Sequence, residues 1–140
     1  MQVEINWLAV ALATLSSMVV GSIWYAKPVL GNIWIKLAKI DEKKMQDGMA
    51  RIMALALLMS FLAAFVIAHV AAISKQFYEV STLESGLATA FWLWIGISVT
   101  TVVVHDIFER RPGALTLLTI GNQFFTLMAM GLIIGALGGF

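Results

Sequence analysis

Four long apolar runs, separated by segments that carry charged side chains, are the main pattern of the chain. They cover about residues 5–25, 49–73, 83–104 and 114–137, and each has about the 20 residues that a helix needs to cross roughly 30 Å of hydrocarbon. The runs are continuous rather than alternating, so they do not fit the strands of a membrane barrel. The pattern predicts a single all-α domain, a bundle of four transmembrane helices.

The connection between the first two runs is the longest, from Lys27 to Gly48, and it mixes apolar residues with lysines. Such a mixture is typical of a short amphipathic segment that lies at the level of the lipid headgroups. Pro28 is expected to end the first helix because proline lacks the N–H that a continuing helix needs. Asp41 is a suitable N-cap, so we expect the second helix to begin near Glu42, before it enters the lipid.

Composition supports a lipid surrounding, because 61% of the residues are hydrophobic and only 12% are charged. A soluble domain is about half apolar and about a quarter charged. The net charge of +1 gives no strong field that would attract nucleic acid. The chain has no cysteine, which excludes disulfides, thiolate metal sites and a cysteine nucleophile. The lipid bilayer is therefore the one partner that composition predicts.

Basic residues are distributed unevenly over the connections and predict the orientation of the protein. The first and third connections, with the adjacent helix edge, hold eight of them: Lys27, Lys36, Lys39, Lys43, Lys44, Arg51, Arg110 and Arg111. The second connection holds only Lys75, and the ends of the chain hold none. Because cytoplasmic loops are rich in lysine and arginine, we expect the odd connections to face the cytoplasm and both termini to lie outside.

Small residues recur at every fourth position in three of the runs, and therefore share one helix face in each. These stripes are Ala13, Ser17 and Gly21; Ala56, Ser60, Ala64, Ala68 and Ala72; and Gly131, Gly135 and Gly139. In lipid, small residues allow the close backbone approach that holds helices together. The stripes predict packing within one four-helix bundle or, for the glycine stripe above all, an interface between copies of a homo-oligomer.

The Asn122-Gln123 pair is the strongest polar interruption of the last run. Counted at 1.5 Å per residue, it lies about 12 Å inside the fourth helix, where lipid offers no hydrogen-bond partner. One interpretation is a hydrogen bond to the third helix; the alternative is that Gln123 lines a wet cavity or a solute path. The candidate partners on the third helix are Ser98, Thr100 and Thr101.

A second polar feature is the group His105, Asp106, Glu109 and Arg110, where the third run ends. Residues four apart face each other on a helix, so His105 is expected to pair with Glu109, and Asp106 with Arg110. The group is either an ion-pair cluster that anchors the helix end or a proton or cation site. No metal site or cofactor is expected, because His69, the other histidine, lies at the opposite side of the membrane.

Five segments of the chain carry motifs that are typical of a known protein family. They are Asn6-Trp7-Leu8-Ala9-Val10; Gly21-Ser22-Ile23-Trp24-Tyr25 with Pro28 and Gly31; Phe108-Glu109-Arg110-Arg111-Pro112; Gly121-Asn122-Gln123; and Met130-Gly131. Together they resemble the DUF1761 family of small bacterial membrane proteins. Asn122 departs from the pattern, which has an aromatic residue there. The resemblance covers nearly the whole chain and implies four spans in the bacterial inner membrane. Because the function of this family is unknown, it implies no activity and no catalytic residue.

Two functional hypotheses follow from these features, and neither is an enzyme. The first is a packing, assembly or interaction protein that forms a homo-oligomer. The second is an oligomeric transporter or channel for a small solute, a proton or another cation. The surroundings of Gln123, Thr101 and His105 discriminate between them: a shared water-filled cavity favours transport, and a dry core or the headgroup region favours assembly.

Overall fold

The computed structural model describes residues 3–138, and every regular element in that range is helical. The α-helices are α1 (Trp7–Trp24), α2 (Asn32–Ala38), α3 (Met49–Tyr78), α4 (Thr82–Leu93), α5 (Thr100–Phe108) and α6 (Gly113–Leu137). A π-helical segment, Trp94–Val99, joins α4 to α5, so that Thr82–Phe108 is one long helix. By length and composition, α1, α3, Thr82–Phe108 and α6 can each cross a membrane, which confirms the all-α fold with four spans. They are called the first to fourth spans below.

The second span begins later than the sequence predicts. Between Asp41 and Gly48 the chain makes successive turns closed by bonds between residues three apart, such as the 3.1 Å bond from the Lys44 N–H to the Asp41 carbonyl. The Asp41 side chain accepts from the backbone N–H two residues on (3.0 Å) and caps no helix. Gly48 then adopts a left-handed conformation (φ 70°), and the helix begins at Met49. The left-handed glycine separates the turns from the helix, so the predicted earlier start is wrong.

The first connection folds back under the bundle through a π-helical turn, Lys27–Gly31, followed by α2. The Gly31 N–H donates to the carbonyl of Ala26 at 2.9 Å, and a Cβ at Gly31 would overlap the carbonyl oxygen of Tyr25. Only glycine fits there. An ion pair of 2.6 Å between Lys27 and Glu42 ties the two ends of the connection together. The amphipathic segment is thus helical over α2, and its position at the headgroups stays a prediction.

The fourth span is the centre of the bundle, because it packs against the other three spans and against α2. The first span contacts the second and fourth spans, and within the described residues it does not contact the third. The second and third spans meet only along α4; beyond the π-helical segment, α5 leaves the second span and contacts only the fourth. The buried core is made mainly of small and branched residues: Val10, Ala13, Ala64, Ile67, Ala68, Ala90, Leu127, Met130 and Ile134.

Glycines bring the third and fourth spans into backbone contact. A Cβ on Gly131 would lie 2.5 Å from the carbonyl oxygen of Gly86, and a Cβ on Gly135 would lie 2.8 Å from the Cα of Leu83. Gly131 and Gly135 are therefore buried inside one chain and are not available to a second copy. Gly139, the third member of the predicted stripe, lies outside the described residues.

Asn6 joins the start of the first span to the end of the fourth span. Its Oδ1 accepts from the backbone N–H groups of Leu8 (3.0 Å) and Ala9 (3.2 Å), which caps the first span. Its Nδ2 donates to the carbonyl of Leu137 at 2.7 Å, in the last turn of the fourth span. One side chain thus satisfies unpaired backbone groups at two helix ends.

Candidate functional site

A cavity of about 600 Å³ lies between the first, second and fourth spans, and residues of the first connection line one end of it. This volume is within the range of pockets that hold small organic molecules. The first span and the first connection contribute Ser17, Met18, Gly21, Ser22, Tyr25, Trp34 and Met45. The second and fourth spans contribute Met49, Met53, Ala56, Met59, Ser60, Ala63, Asn122, Gln123, Thr126, Leu127 and Met130.

The cavity exists because the small-residue stripes are packed at one end and open at the other. On the second span, Ala64 and Ala68 are buried in the core, whereas Ala56 and Ser60, on the same face, line the cavity. On the first span, a Cβ at Gly21 would meet no atom within 4 Å. The helices therefore touch in the half of the bundle away from the first connection and diverge toward that connection.

The depth of the cavity follows from its deepest residue on the second span. Ala63 lies 14 residues after Met49, which is about 21 Å at 1.5 Å per residue. Beyond it, Ala64 and Ile67 belong to the packed core and are fully buried. The cavity is thus a vestibule that reaches from the first connection to about the middle of the bundle and is closed on the other side.

Methionine is the most frequent residue of the cavity wall. Six of the eight methionines of the chain line it: Met18, Met45, Met49, Met53, Met59 and Met130. The thioether side chain is flexible and polarizable, and it adapts to ligands of different shape. The sequence does not mark these methionines as one group, because scattered methionines in apolar helices carry no periodic signal.

Several polar side chains of the wall have no hydrogen-bond partner within residues 3–138. They are Ser22, Ser60, Asn122, Gln123 and Thr126, and Oδ1 of Asn122 is in addition buried. Several hydroxyls elsewhere in the spans are paired; Thr119, for example, donates to the carbonyl of Leu115 at 3.0 Å, and Thr116 donates to the Asp106 carboxylate at 2.8 Å. An unpaired polar group inside a membrane is costly, and unlike the hydroxyls an amide side chain cannot be satisfied by a simple rotation toward its own helix, so Asn122 and Gln123 in particular need water or a ligand.

The wall carries no formal charge: the described residues that line the cavity include no Asp, Glu, Lys, Arg or His. Tyr25, which follows the last residue of the first span, is the one side chain of the wall with a proton that can titrate at high pH. Burial raises the pKa of its phenol, so the hydroxyl stays protonated and can donate a hydrogen bond. Its ring lies 4.8 Å from that of Trp34, and both rings line the cavity at the end next to the first connection.

Ser98, Thr100 and Thr101 do not reach the Asn122-Gln123 pair, and none of them lines the cavity. The Thr100 hydroxyl donates to carbonyls of its own helix, 2.9 Å and 3.1 Å away, where the π-helical segment leaves irregular backbone. Thr100 and Thr101 are exposed on the outer surface of the bundle because this part of the third span has left the second. The predicted hydrogen bonds between these residues are therefore not formed.

Trp94 makes a hydrogen bond between the third and fourth spans, where the sequence predicts one from the Asn122-Gln123 pair. Its indole N–H donates to the carbonyl of Ile120 at 3.1 Å, and its ring packs against Phe124 at 4.8 Å. A tryptophan in the middle of a span, away from both interfaces, was the available signal, because a buried indole N–H needs an acceptor.

The polar cluster at the end of the third span forms, with one change of membership. His105 contacts Glu109 (Nε2–Oε1, 3.0 Å) and Asp106 (Nδ1–Oδ1, 3.2 Å). Arg110 does not pair with Asp106, because it adopts a left-handed conformation (φ 54°) after the helix has ended. Arg111 turns back instead and contacts Glu109 at 2.6 Å and Asp106 at 3.8 Å.

Asp106 is the buried member of this cluster; its side chain is only 5% exposed. Its second oxygen accepts from the Thr116 hydroxyl of the fourth span at 2.8 Å. The cluster thus joins the third span to the start of the fourth. None of its residues lines the cavity, so the two polar features do not form one continuous path within a chain.

A family model described as "Protein of unknown function (DUF1761)" matches residues 8–135, nearly the whole chain. The chain belongs to the DUF1761 family. Neither the comparison with curated proteins nor the comparison with solved structures finds a match. Family membership and the four spans make this protein a multi-pass membrane protein.

The segments that carry the DUF1761 resemblance supply much of the cavity wall. Gly21, Ser22 and Tyr25 come from the first of them, and Asn122 and Gln123 from another. The two segments also contact each other. The ring of Trp24 packs so closely on the fourth span that a Cβ on Gly121 would lie 2.9 Å from a ring carbon. In this DUF1761 protein the motif residues therefore shape a pocket.

Proposed function

We propose that this protein binds a small molecule in its intramembrane cavity, as a step in moving that molecule into or across the membrane. The observation that carries the proposal is the group of polar wall residues without a partner, Gln123 and Thr126 among them, in a cavity of about 600 Å³. A chain that serves only to pack helices gains nothing from a void with unpaired amides, because both cost stability.

The proposal favours the second functional hypothesis in a modified form. Gln123 faces a cavity, as that hypothesis requires, but Thr101 and His105 do not. The cavity is formed within one chain, so an oligomer is not needed to enclose it. A cavity open toward one side and closed toward the other is the geometry of a carrier in one of its two states, rather than of an open channel.

The orientation and the membrane are part of the proposal. We infer from the basic residues of the first and third connections that the first connection faces the cytoplasm, with the cavity mouth beside it and both termini outside. The bacterial inner membrane is the location that the family resemblance implies. In this arrangement the ligand enters from the cytoplasmic half of the bilayer.

The test uses three fluorescent probes of different charge with the protein in lipid nanodiscs: neutral phenylnaphthylamine, anionic anilinonaphthalene sulfonate and cationic ethidium. Empty nanodiscs give the background of each probe. We expect at least one probe to bind saturably and to lose that binding in Ala56→Phe, whose ring fills the cavity. Ala54→Phe is the matched control, because Ala54 is exposed on the outside of the same helix and does not line the cavity.

Only a difference between these two variants supports the proposal. Saturable binding that survives in Ala56→Phe would place the probe elsewhere on the protein. If no probe of any charge gives binding that depends on Ala56, the proposed function is wrong.

We also propose that the protein forms a homo-oligomer through its third span. Only 11% of the most apolar window of this span is buried in the chain, against 28% in each of the other three. Its outer surface carries Gly96 and Thr100 four residues apart, the small-residue spacing that lets two helices approach closely. Native mass spectrometry from nanodiscs tests this: we expect a dimer or larger oligomer that dissociates in Gly96→Leu, and a monomer in both samples would refute it.

A further inference from the structure

We infer that the ligand of the cavity is an uncharged, largely apolar molecule with one hydrogen-bonding group, and that this group binds at Gln123 in the middle of the bundle. This inference rests on the proposed function and names the class of its ligand. It follows from three properties of the wall: the absence of charged side chains, the position of its polar groups and its many methionines.

The absence of charge in the wall argues against an ionic ligand. No acidic or basic side chain among the described residues lines the cavity. The charged residues next to the wall along the chain, Lys44, Asp47 and Arg51, are exposed and do not line the cavity, and Lys27 and Glu42 form an exposed ion pair of 2.6 Å. An ion at mid-membrane depth without a counter-charge is strongly disfavoured, whereas a neutral molecule carries no such penalty.

Three of the unpaired polar groups of the wall form a band at mid-depth, whereas Ser22 lies near the end of the first span. Gln123 and Thr126 are three residues apart on one face of the fourth span, and Ser60 contributes from the second span. Counted from the first residues of their helices, Gln123 and Ser60 both lie about 15 Å inside the bundle. An amide and hydroxyls can each donate and accept, so the band can bind a hydroxyl, a carbonyl or an amine N–H of the ligand.

The apolar part of the ligand is matched by the methionines between this band and the mouth. Met49 and Met53 lie in the first turns of the second span, and Met45 lies in the turn before it. Their flexible thioethers can pack on a chain or a ring without demanding one shape. The ligand is therefore oriented with its polar group deep and its apolar body toward the first connection.

Two of the probes form a matched pair that tests directly whether the cavity prefers an uncharged ligand. Phenylnaphthylamine and anilinonaphthalene sulfonate share the same ring system and N–H, and differ by one sulfonate. We expect the neutral probe to show binding that depends on Ala56, and the sulfonate to bind there about a hundredfold more weakly. If the sulfonate or ethidium occupies the cavity as tightly as the neutral probe, the neutral class is wrong although the proposed function stands. If no probe depends on Ala56, the proposed function itself fails.

The role of Gln123 is tested with the neutral probe alone. Gln123→Leu should weaken its binding about fivefold, the effect of one lost hydrogen bond. Thr101→Val, which removes a polar group from the outer surface of the third span, should leave binding unchanged. Gln123→Met provides a second variant, and the melting temperature of each variant reports whether it is folded. Equal probe affinity in folded wild type, Gln123→Leu and Gln123→Met would overturn the assignment of the hydrogen-bonding site.

Discussion

Replacing Gly131 by alanine tests the backbone contact between the third and fourth spans. The new Cβ would lie 2.5 Å from the carbonyl oxygen of Gly86 and 2.6 Å from the Cβ of Ala90. Neither neighbour can move by rotating a side chain, because one is backbone and the other is the first side-chain atom. The two helices must therefore separate, to bring these atoms to the 3.5–4 Å or so of normal carbon contact.

The size of the effect follows from the packing that the separation removes. Overpacking a close contact costs about 1–3 kcal/mol, and the loss extends along the helices because Gly135 approaches the third span equally closely. We therefore expect Gly131→Ala to lower the free energy of unfolding by about 2 kcal/mol. Reversible unfolding in mixed micelles, followed by tryptophan fluorescence and circular dichroism, measures this difference.

Gly21→Ala is the matched control. Gly21 is also a glycine within a span, but a Cβ there would meet no atom within 4 Å. Alanine is the better helix former by about 1 kcal/mol, so this variant should be as stable as wild type or more so. Equal stability of Gly131→Ala and Gly21→Ala would show that the third and fourth spans are not in backbone contact, and would refute the packing described here.

Three further predictions concern the ends of the spans. Asn6→Ala should lower the free energy of unfolding by about 1–2 kcal/mol in the same assay, since it removes a helix cap and the tie to the fourth span; an unchanged value would contradict the cap. Thr116→Val should cost about 1.5–3 kcal/mol, because it deprives a buried carboxylate of a hydroxyl donor, whereas Thr101→Val should be neutral. In a chain without native cysteines, Lys43→Cys and Arg110→Cys should react with an impermeant maleimide only from the cytoplasmic side, and Glu79→Cys only from outside; the reverse pattern would invert the proposed orientation.

The four spans could be predicted from the sequence because hydropathy over about 20 residues is a local property. The residues at which the helices begin and end were harder to predict from the sequence. Gly48 shows the reason: its left-handed conformation stops the helix that the residues before it would otherwise begin. Arg111 took the place predicted for Arg110 for the same kind of reason, since one left-handed residue after a helix changes which side chain turns back.

The cavity could be predicted only in part. Gln123 was recognised as a candidate for a solute path from its depth alone, and it lines the cavity. Its expected partners on the third span were wrong because the π-helical segment and the divergence of α5 depend on packing that no single helix encodes. The methionine wall was missed because it is assembled from three spans and one connection, and becomes a group only when they are folded.

The accessibility of Ser60 from water is the most direct test of the cavity. Ser60→Cys and Ser98→Cys are nearly isosteric changes in the middle of the second and third spans, but only Ser60 lines the cavity. A thiol reacts with a maleimide as the thiolate, which forms in water and not in lipid. A small, impermeant maleimide added to the side of the first connection is predicted to label Ser60→Cys and to leave Ser98→Cys unlabelled. Protection of Ser60→Cys to the same extent as Ser98→Cys would show that no vestibule opens between the first, second and fourth spans.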